Sequence, residues 1–168
     1  MDRNKILSEK ERLHIENHLD IARKLCAGSD CIMMGSMALY LAFPEVLDYV
    51  PGDVDLLADA GIENLRKIIR ILRVDGFKVF SWQDEIDESV SMELLEGRFY
   101  IRGLKNIKDS VVTVDVTYEI VAVDWQQVKN SYVEIDEIRV FNKELLIAIL
   151  RGCPKEKKQE QARRLGEL

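Results

Sequence analysis

The stretch GDVDLLAD, residues 52–59, constrains this chain more than any other. Two aspartates one residue apart, Asp53 and Asp55, open an apolar strand that continues through Leu56 and Leu57. Alternate strand residues project to the same face, so both carboxylates leave the strand together, roughly 7 Å apart along it. Val54 and Leu56 then turn to the other face, toward a core. Carboxylates entering an apolar strand are costly unless something pairs with them. Solvated acids at a loop end are the plain alternative; a divalent cation between them is the other. Mg²⁺ suits that role, because it takes hard oxygen ligands and completes its shell with water and substrate phosphates.

A third acid lies downstream. Asp115 stands inside VVTVDVTY, residues 111–118, a run rich in β-branched residues. Val112, Val114 and Val116 share one face of that strand, and Val111, Thr113, Asp115 and Thr117 share the other. Alone, Asp115 reads equally well as a solvent-facing acid on an edge strand. If the two strands are neighbours, it faces Asp53 and Asp55. Three converging carboxylates would hold two divalent ions, an arrangement used for in-line phosphoryl displacement.

Upstream, the apolar strand 31–34 breaks at Gly35-Ser36 and leads into a helix over about 37–43. Glycine lets backbone approach a ligand closely, and the free N–H groups of a helix start attract anions. The Ser36 hydroxyl can add a hydrogen bond to a phosphate oxygen. Gly-Ser before a helix is a weak signal by itself; its place ahead of the aspartates raises its value.

The rest of the chain frames these segments. Ser8 and Glu11 have capping-box spacing and open a helix over 8–28. His14 and His18 lie one turn apart on it, but with no third ligand nearby they read as ordinary helix residues. An amphipathic helix over 62–72 precedes a strand over 77–82 and an acidic loop over 83–88. Residues 92–95 and 98–104 read as a hairpin around Glu96-Gly97. A short edge strand is expected over 135–141, and Asn142 caps a helix over 143–151. A polar helix over 155–168 ends the chain. Its Lys155, Lys157, Lys158, Arg163 and Arg164 are interleaved with Glu156 and Glu160, the pattern of a solvated face. Arg98, Arg102 and Lys105 likewise read as a solvated hairpin face, with contact to a phosphate or an acceptor as the sharper option. Tyr100, Tyr118 and Trp125 read as core or rim packing, with stacking on a base as the sharper option. Arg151 and Lys155 are candidates for steadying a triphosphate, and Glu93 for an additional base. The order of strands and helices predicts an α+β fold, a mixed sheet flanked by helices.

At 168 residues the chain is expected to form one domain, 1–168. Its net charge of −6 argues against a broad nucleic-acid footprint, so nucleic acid is not an expected partner. No apolar run reaches membrane-spanning length and no export signal is visible, so no membrane association is expected. Cys26, Cys31 and Cys153 form no CxxC pair, which fits reduced thiols and a cytoplasmic protein.

Taken together, Gly35-Ser36 in MMGSMALYLAF, Asp53 and Asp55 in GDVDLLAD, and Asp115 in VTVDVTY resemble the nucleotidyltransferase superfamily built on the DNA polymerase β-like fold. The resemblance covers a core of about 31–118. The end, FNKELLIAILRGCPKEKKQEQARRL, is similar to the tail of small antibiotic-modifying and toxin-type members. The resemblance implies that Asp53, Asp55 and Asp115 are catalytic and bind two Mg²⁺ ions bridging an NTP. It implies that Gly35 and Ser36 hold the β- and γ-phosphates. Asp115 would share the second ion and help deprotonate or position the acceptor hydroxyl. The implied reaction moves a nucleoside monophosphate to a hydroxyl of a small molecule or protein and releases pyrophosphate. A catalytically silent descendant that binds a nucleotide or a partner protein is the alternative, and RNA end modification a third. Sixteen residues, 37–52, separate Ser36 from Asp53, more than the family's usual interval. That surplus either forms an extended loop or uncouples the turn from the metal site.

Overall fold

The computed structural model describes residues 7–108, 110–120 and 123–168; residues 1–6, on which the expected absence of an export signal partly rests, lie outside them. The capping box forms as expected. The Ser8 hydroxyl accepts from the Glu11 amide while the Glu11 carboxylate accepts from the Ser8 amide, opening α1, Glu9–Gly28. There follow β1 (Cys31–Met34), α2 (Gly35–Ala42), a 3₁₀ turn (Pro44–Val46), β2 (Val54–Ala58), α3 (Ile62–Val74), β3 (Lys78–Ser81) and β4 (Asp84–Glu85). The chain continues with α4 (Met92–Leu95), β5 (Tyr100–Ile107), β6 (Ser110–Thr117), α5 (Trp125–Val128), β7 (Tyr132–Ile135), β8 (Ile138–Phe141), α6 (Lys143–Gly152) and α7 (Glu156–Gly166). Among the described residues, no helix is long and apolar enough to cross a membrane.

The strands form one mixed sheet in the order β4-β3-β5-β6-β2-β1-β8-β7. β1 pairs antiparallel with β2, and β2 pairs parallel with β6. The expected α+β architecture is therefore present. Three local expectations are corrected. Met92–Leu95 is a helical turn, and the hairpin lies further on, between β5 and β6. Periodicity could not separate one helical turn from a short strand in MELL. Residues 132–141 form a whole hairpin, with β7 at the sheet edge and β8 inside it, parallel to β1. The acidic 83–88 segment is not all loop: Asp84 and Glu85 pair with β3.

The two faces of the sheet are distinct. Along β6, Val112, Val114 and Val116 are buried, while Thr113, Asp115 and Thr117 are half-buried between them. Gly103 of β5 pairs with Val114, and a Cβ there would meet Leu72 of α3 at 3.2 Å and Phe77 at 3.3 Å. In-register residues of neighbouring strands share a face. Helix α3 thus covers the valine face, and Asp115, one residue out of phase, must project from the opposite face.

His18 ties α1 to the sheet. It is fully buried; its Nδ1 donates to the His14 carbonyl (2.7 Å), and its Nε2 accepts the Thr113 amide (3.2 Å). Thr113 lies just before the β6–β2 ladder, which begins with Val54↔Val114, so its N–H would otherwise lack a strand partner. His14 in turn donates Nε2–H to the Pro51 carbonyl (3.0 Å), holding the loop before β2. The two histidines thus tie α1 to β6 and to the loop before β2, more than the ordinary helix residues expected from the sequence. Burial depresses the His18 basicity, so His18 is neutral in the fold, whereas the unfolded chain takes up its proton near pH 6.5. A lowered folded value means that this contribution is complete above pH 6.5 and is lost as pH falls below it. Between pH 7 and pH 5 the His18→Asn variant should gain melting temperature relative to wild type, because only the wild type carries this loss. A variant profile as steep as that of the wild type would remove His18 from this role.

Candidate active site

One rung of the sheet builds the site. Met34 of β1 pairs with Asp55 of β2, Asp55 with Asp115 of β6, and Asp115 with Arg102 of β5. Direct pairing puts Asp55 and Asp115 side by side on the face away from α3, and Asp53, two residues earlier, joins them. Carboxylate oxygens of Asp53, Asp55 and Asp115 all lie within 4.8 Å of one another. The condition set by the sequence, that the two strands be neighbours, is met. The solvent-facing edge alternative for Asp115 is not, because β6 lies between β5 and β2 in the sheet.

The electrostatics show what this costs. Burial, followed by the charges of Asp53 and Asp115, raises the Asp55 carboxyl to about 7, while Lys158 and Arg102 pull it the other way. An acid so destabilised as an anion beside two others favours a cation. The donor set is hard oxygen throughout, which fits Mg²⁺ and does not favour softer metals.

Gly35 is fitted to this acid. Its φ is +73°, and a Cβ added there would lie 2.3 Å from the Asp55 Oδ2 and 3.0 Å from its Cβ. Any side chain at 35 is thus excluded both by backbone conformation and by the carboxylate. The turn does address the acids. After α2, the segment 43–52 folds back instead of displacing β2: Val46 and Leu47 enter the core, and the Tyr49 hydroxyl meets the Ser36 Oγ at 2.7 Å.

Ser36 itself is buried, with its hydroxyl between Tyr49 and the Lys158 Nζ, which donates to it at 3.1 Å. The α7 helix docks here through several contacts. Gln161 donates to the Tyr49 hydroxyl (3.2 Å), and the Lys157 Nζ lies 3.2 Å from the centroid of the Tyr49 ring. Reading the basic residues of α7 as one solvated face therefore missed Lys158, which borders Asp55. Lys158 and Gln161 share one face of α7 by their i, i+3 spacing, but their partners Ser36 and Tyr49 lie more than a hundred residues away, so no local signal separates Lys158 from the solvated residues. Lys155 and Arg151 are exposed, as is Glu93 on α4. The Tyr118 hydroxyl donates to the Leu95 carbonyl (2.6 Å) in the core, away from any stacking role.

A cleft of about 190 Å³ opens beside Asp55, lined by Gly35, Leu146, Ile149, Leu150, Cys153 and Lys158. Helix α6 supplies the apolar wall, held at its start by the Asn142 cap on the Leu145 amide (3.0 Å). On the far side of the acids, Arg102 donates Nε–H and Nη2–H to the two oxygens of Asp115, at 2.7 and 2.8 Å. That fork raises the Arg102 basicity.

Comparison with solved structures places this architecture. JHP933 from Helicobacter pylori superposes with a TM-score of 0.59 at 16% identity, over 96% of this chain and 68% of that one. A structure described as a "putative nucleotidyltransferase" from H. pylori superposes with a TM-score of 0.55 at 17% identity, over 91% of this chain and 62% of that one. The fold is nucleotidyltransferase-like. No protein-family model matches the sequence. No curated protein matches it either.

Asp55 yields a direct test. Its folded value is raised above the ordinary 3.8, so its contribution to stability is complete below that value and is lost as pH rises through about 7. At pH 8 without divalent ions, the Asp55→Asn protein should be more stable than wild type by roughly 2–4 kcal/mol, at ~1.4 kcal/mol per pH unit. Near pH 4 the advantage should vanish, and millimolar Mg²⁺ at pH 8 should stabilise wild type selectively. Equal stability of the two proteins at pH 8 in chelator would contradict the buried-carboxylate account.

Proposed function

We propose that this chain is a Mg²⁺-dependent nucleotidyltransferase that moves a nucleoside monophosphate from an NTP to a hydroxyl acceptor and releases pyrophosphate. The observation that carries the reading is the in-register pairing of Asp55 with Asp115, with Asp53 on the same face. Asp53, Asp55 and Asp115 would hold two ions. When bound, Mg²⁺ would offset the charge of the triphosphate and of the displaced pyrophosphate. Gly35 and the amides at the start of α2 would receive phosphate oxygens, with Lys158 as a cation alongside. Ser36 would act mainly by seating Lys158, through the hydrogen bond they share. The apolar cleft against α6 would take the nucleoside, and the acceptor hydroxyl would approach from the Asp115 side. We also propose a cytoplasmic setting, which suits the free thiols Cys26, Cys31 and Cys153.

One observation favours the silent alternative: both oxygens of Asp115 are engaged by Arg102. A protein locked in that state would bind a nucleotide or a partner without turnover. The chain spans 68% and 62% of the two structural neighbours' lengths, so their whole-protein activity is not carried over.

Isothermal titration with ATP, GTP, CTP and UTP in the presence of Mg²⁺ should find at least one that binds. Asp53→Ala combined with Asp55→Ala should weaken that binding by two orders of magnitude or more, on the order of 3 kcal/mol. If no nucleotide binds, or if the double variant binds as well as wild type, the transferase reading fails. Acceptor-dependent pyrophosphate release by wild type would exclude the silent alternative.

A further inference from the structure

Arg102 takes no part in the transfer chemistry proposed above, yet it engages both oxygens of one of the three acids. Its guanidinium forms a fork on Asp115, at 2.7 and 2.8 Å, and the two residues face each other across the β5–β6 ladder. The fork occupies both carboxylate oxygens on the side where a planar donor meets them, and it sets a fixed positive charge next to the site of a dication. It is also releasable. The Arg102 side chain is 46% exposed against 17% for Asp115, so the guanidinium can leave for water while the carboxylate stays. Its Cζ lies 5.7 Å from the centroid of the Tyr100 ring, which offers it a second contact on the same strand. Asp53 and Asp55 have no such fork; among the described residues neither takes part in an ion pair within 4 Å.

We infer that Arg102 is a positioning residue that latches the third carboxylate, so that the resting protein offers a cation Asp53 and Asp55 first and Asp115 only when Arg102 lets go. The inference rests on the metal-site reading proposed above. It converts an apparent obstacle to catalysis into an order of loading. One ion would be taken readily and the second would wait for release of the fork.

Mn²⁺ binding, followed by electron paramagnetic resonance on the full chain without nucleotide, separates the possibilities. Wild type should bind one Mn²⁺ tightly and a second weakly. Arg102→Gln should bind the second at least about tenfold more tightly, since a partly exposed charged fork no longer competes for Asp115. Adding Asp115→Asn to Arg102→Gln should return the protein to one tight ion. Arg102→Lys, which keeps the charge but cannot fork, should fall between Arg102→Gln and wild type. Indistinguishable second-ion affinities in wild type and Arg102→Gln would overturn the latch while leaving the first site standing. Undiminished Mn²⁺ binding by the Asp53→Ala/Asp55→Ala protein would overturn the metal-site reading and the latch with it. Far-ultraviolet circular dichroism of each variant establishes that it is folded before its ions are counted.

Discussion

Three like charges held against one another in a half-buried setting are the constraint around which this molecule is arranged. Parallel pairing of β2 with β6 brings Asp55 against Asp115, and the two-residue period of β2 adds Asp53. The surroundings limit the repulsion: Arg102 holds Asp115 from one side, Lys158 lies near Asp55 on the other, and the Asp55 carboxyl is raised toward neutrality. Such a centre is destabilising as a bare structural element and makes physical sense as a cation site.

The remaining elements serve that rung. The valine face of β6 and Gly103 of β5 receive α3, leaving the opposite face to the acids. His18 satisfies the Thr113 amide two residues before Asp115, so the start of β6 is anchored where its parallel partner has not yet begun. The positive φ of Gly35 and the absence of a side chain there let the β1–α2 turn lie directly on Asp55. Tyr49, from the long segment after α2, joins Ser36, Lys157 and Gln161 into one contact. The C-terminal helix thereby becomes a wall of the site.

Much of this was legible in the chain. The apolar residues behind Asp53 and Asp55 marked one acid-bearing strand and β-branched residues marked the other, and the two-residue period put Asp53 and Asp55 on one face. The capping residues Ser8 and Asn142 announced their helices through specific hydrogen bonds. What the residues could not declare was long-range pairing. Arg102 read as a solvated hairpin residue because nothing local reveals that Asp115 is its cross-strand partner. Lys158 read as part of a solvated face because its partner Ser36 lies 122 residues away. The interval after Ser36 was ambiguous for the same reason: only folding back onto Ser36 and His14 shows that the extra residues leave the turn in place. MELL was too short for periodicity to choose helix over strand.

The central claim is that Asp53, Asp55 and Asp115 form one cation site. It is tested most directly by a crystal structure of the protein soaked in Mn²⁺, with data collected to locate manganese by anomalous scattering. The account predicts a peak within coordination distance of the Asp53 and Asp55 oxygens, on the face of the sheet opposite α3. Manganese bound only elsewhere, with these three carboxylates unliganded in a well-ordered site, would contradict it.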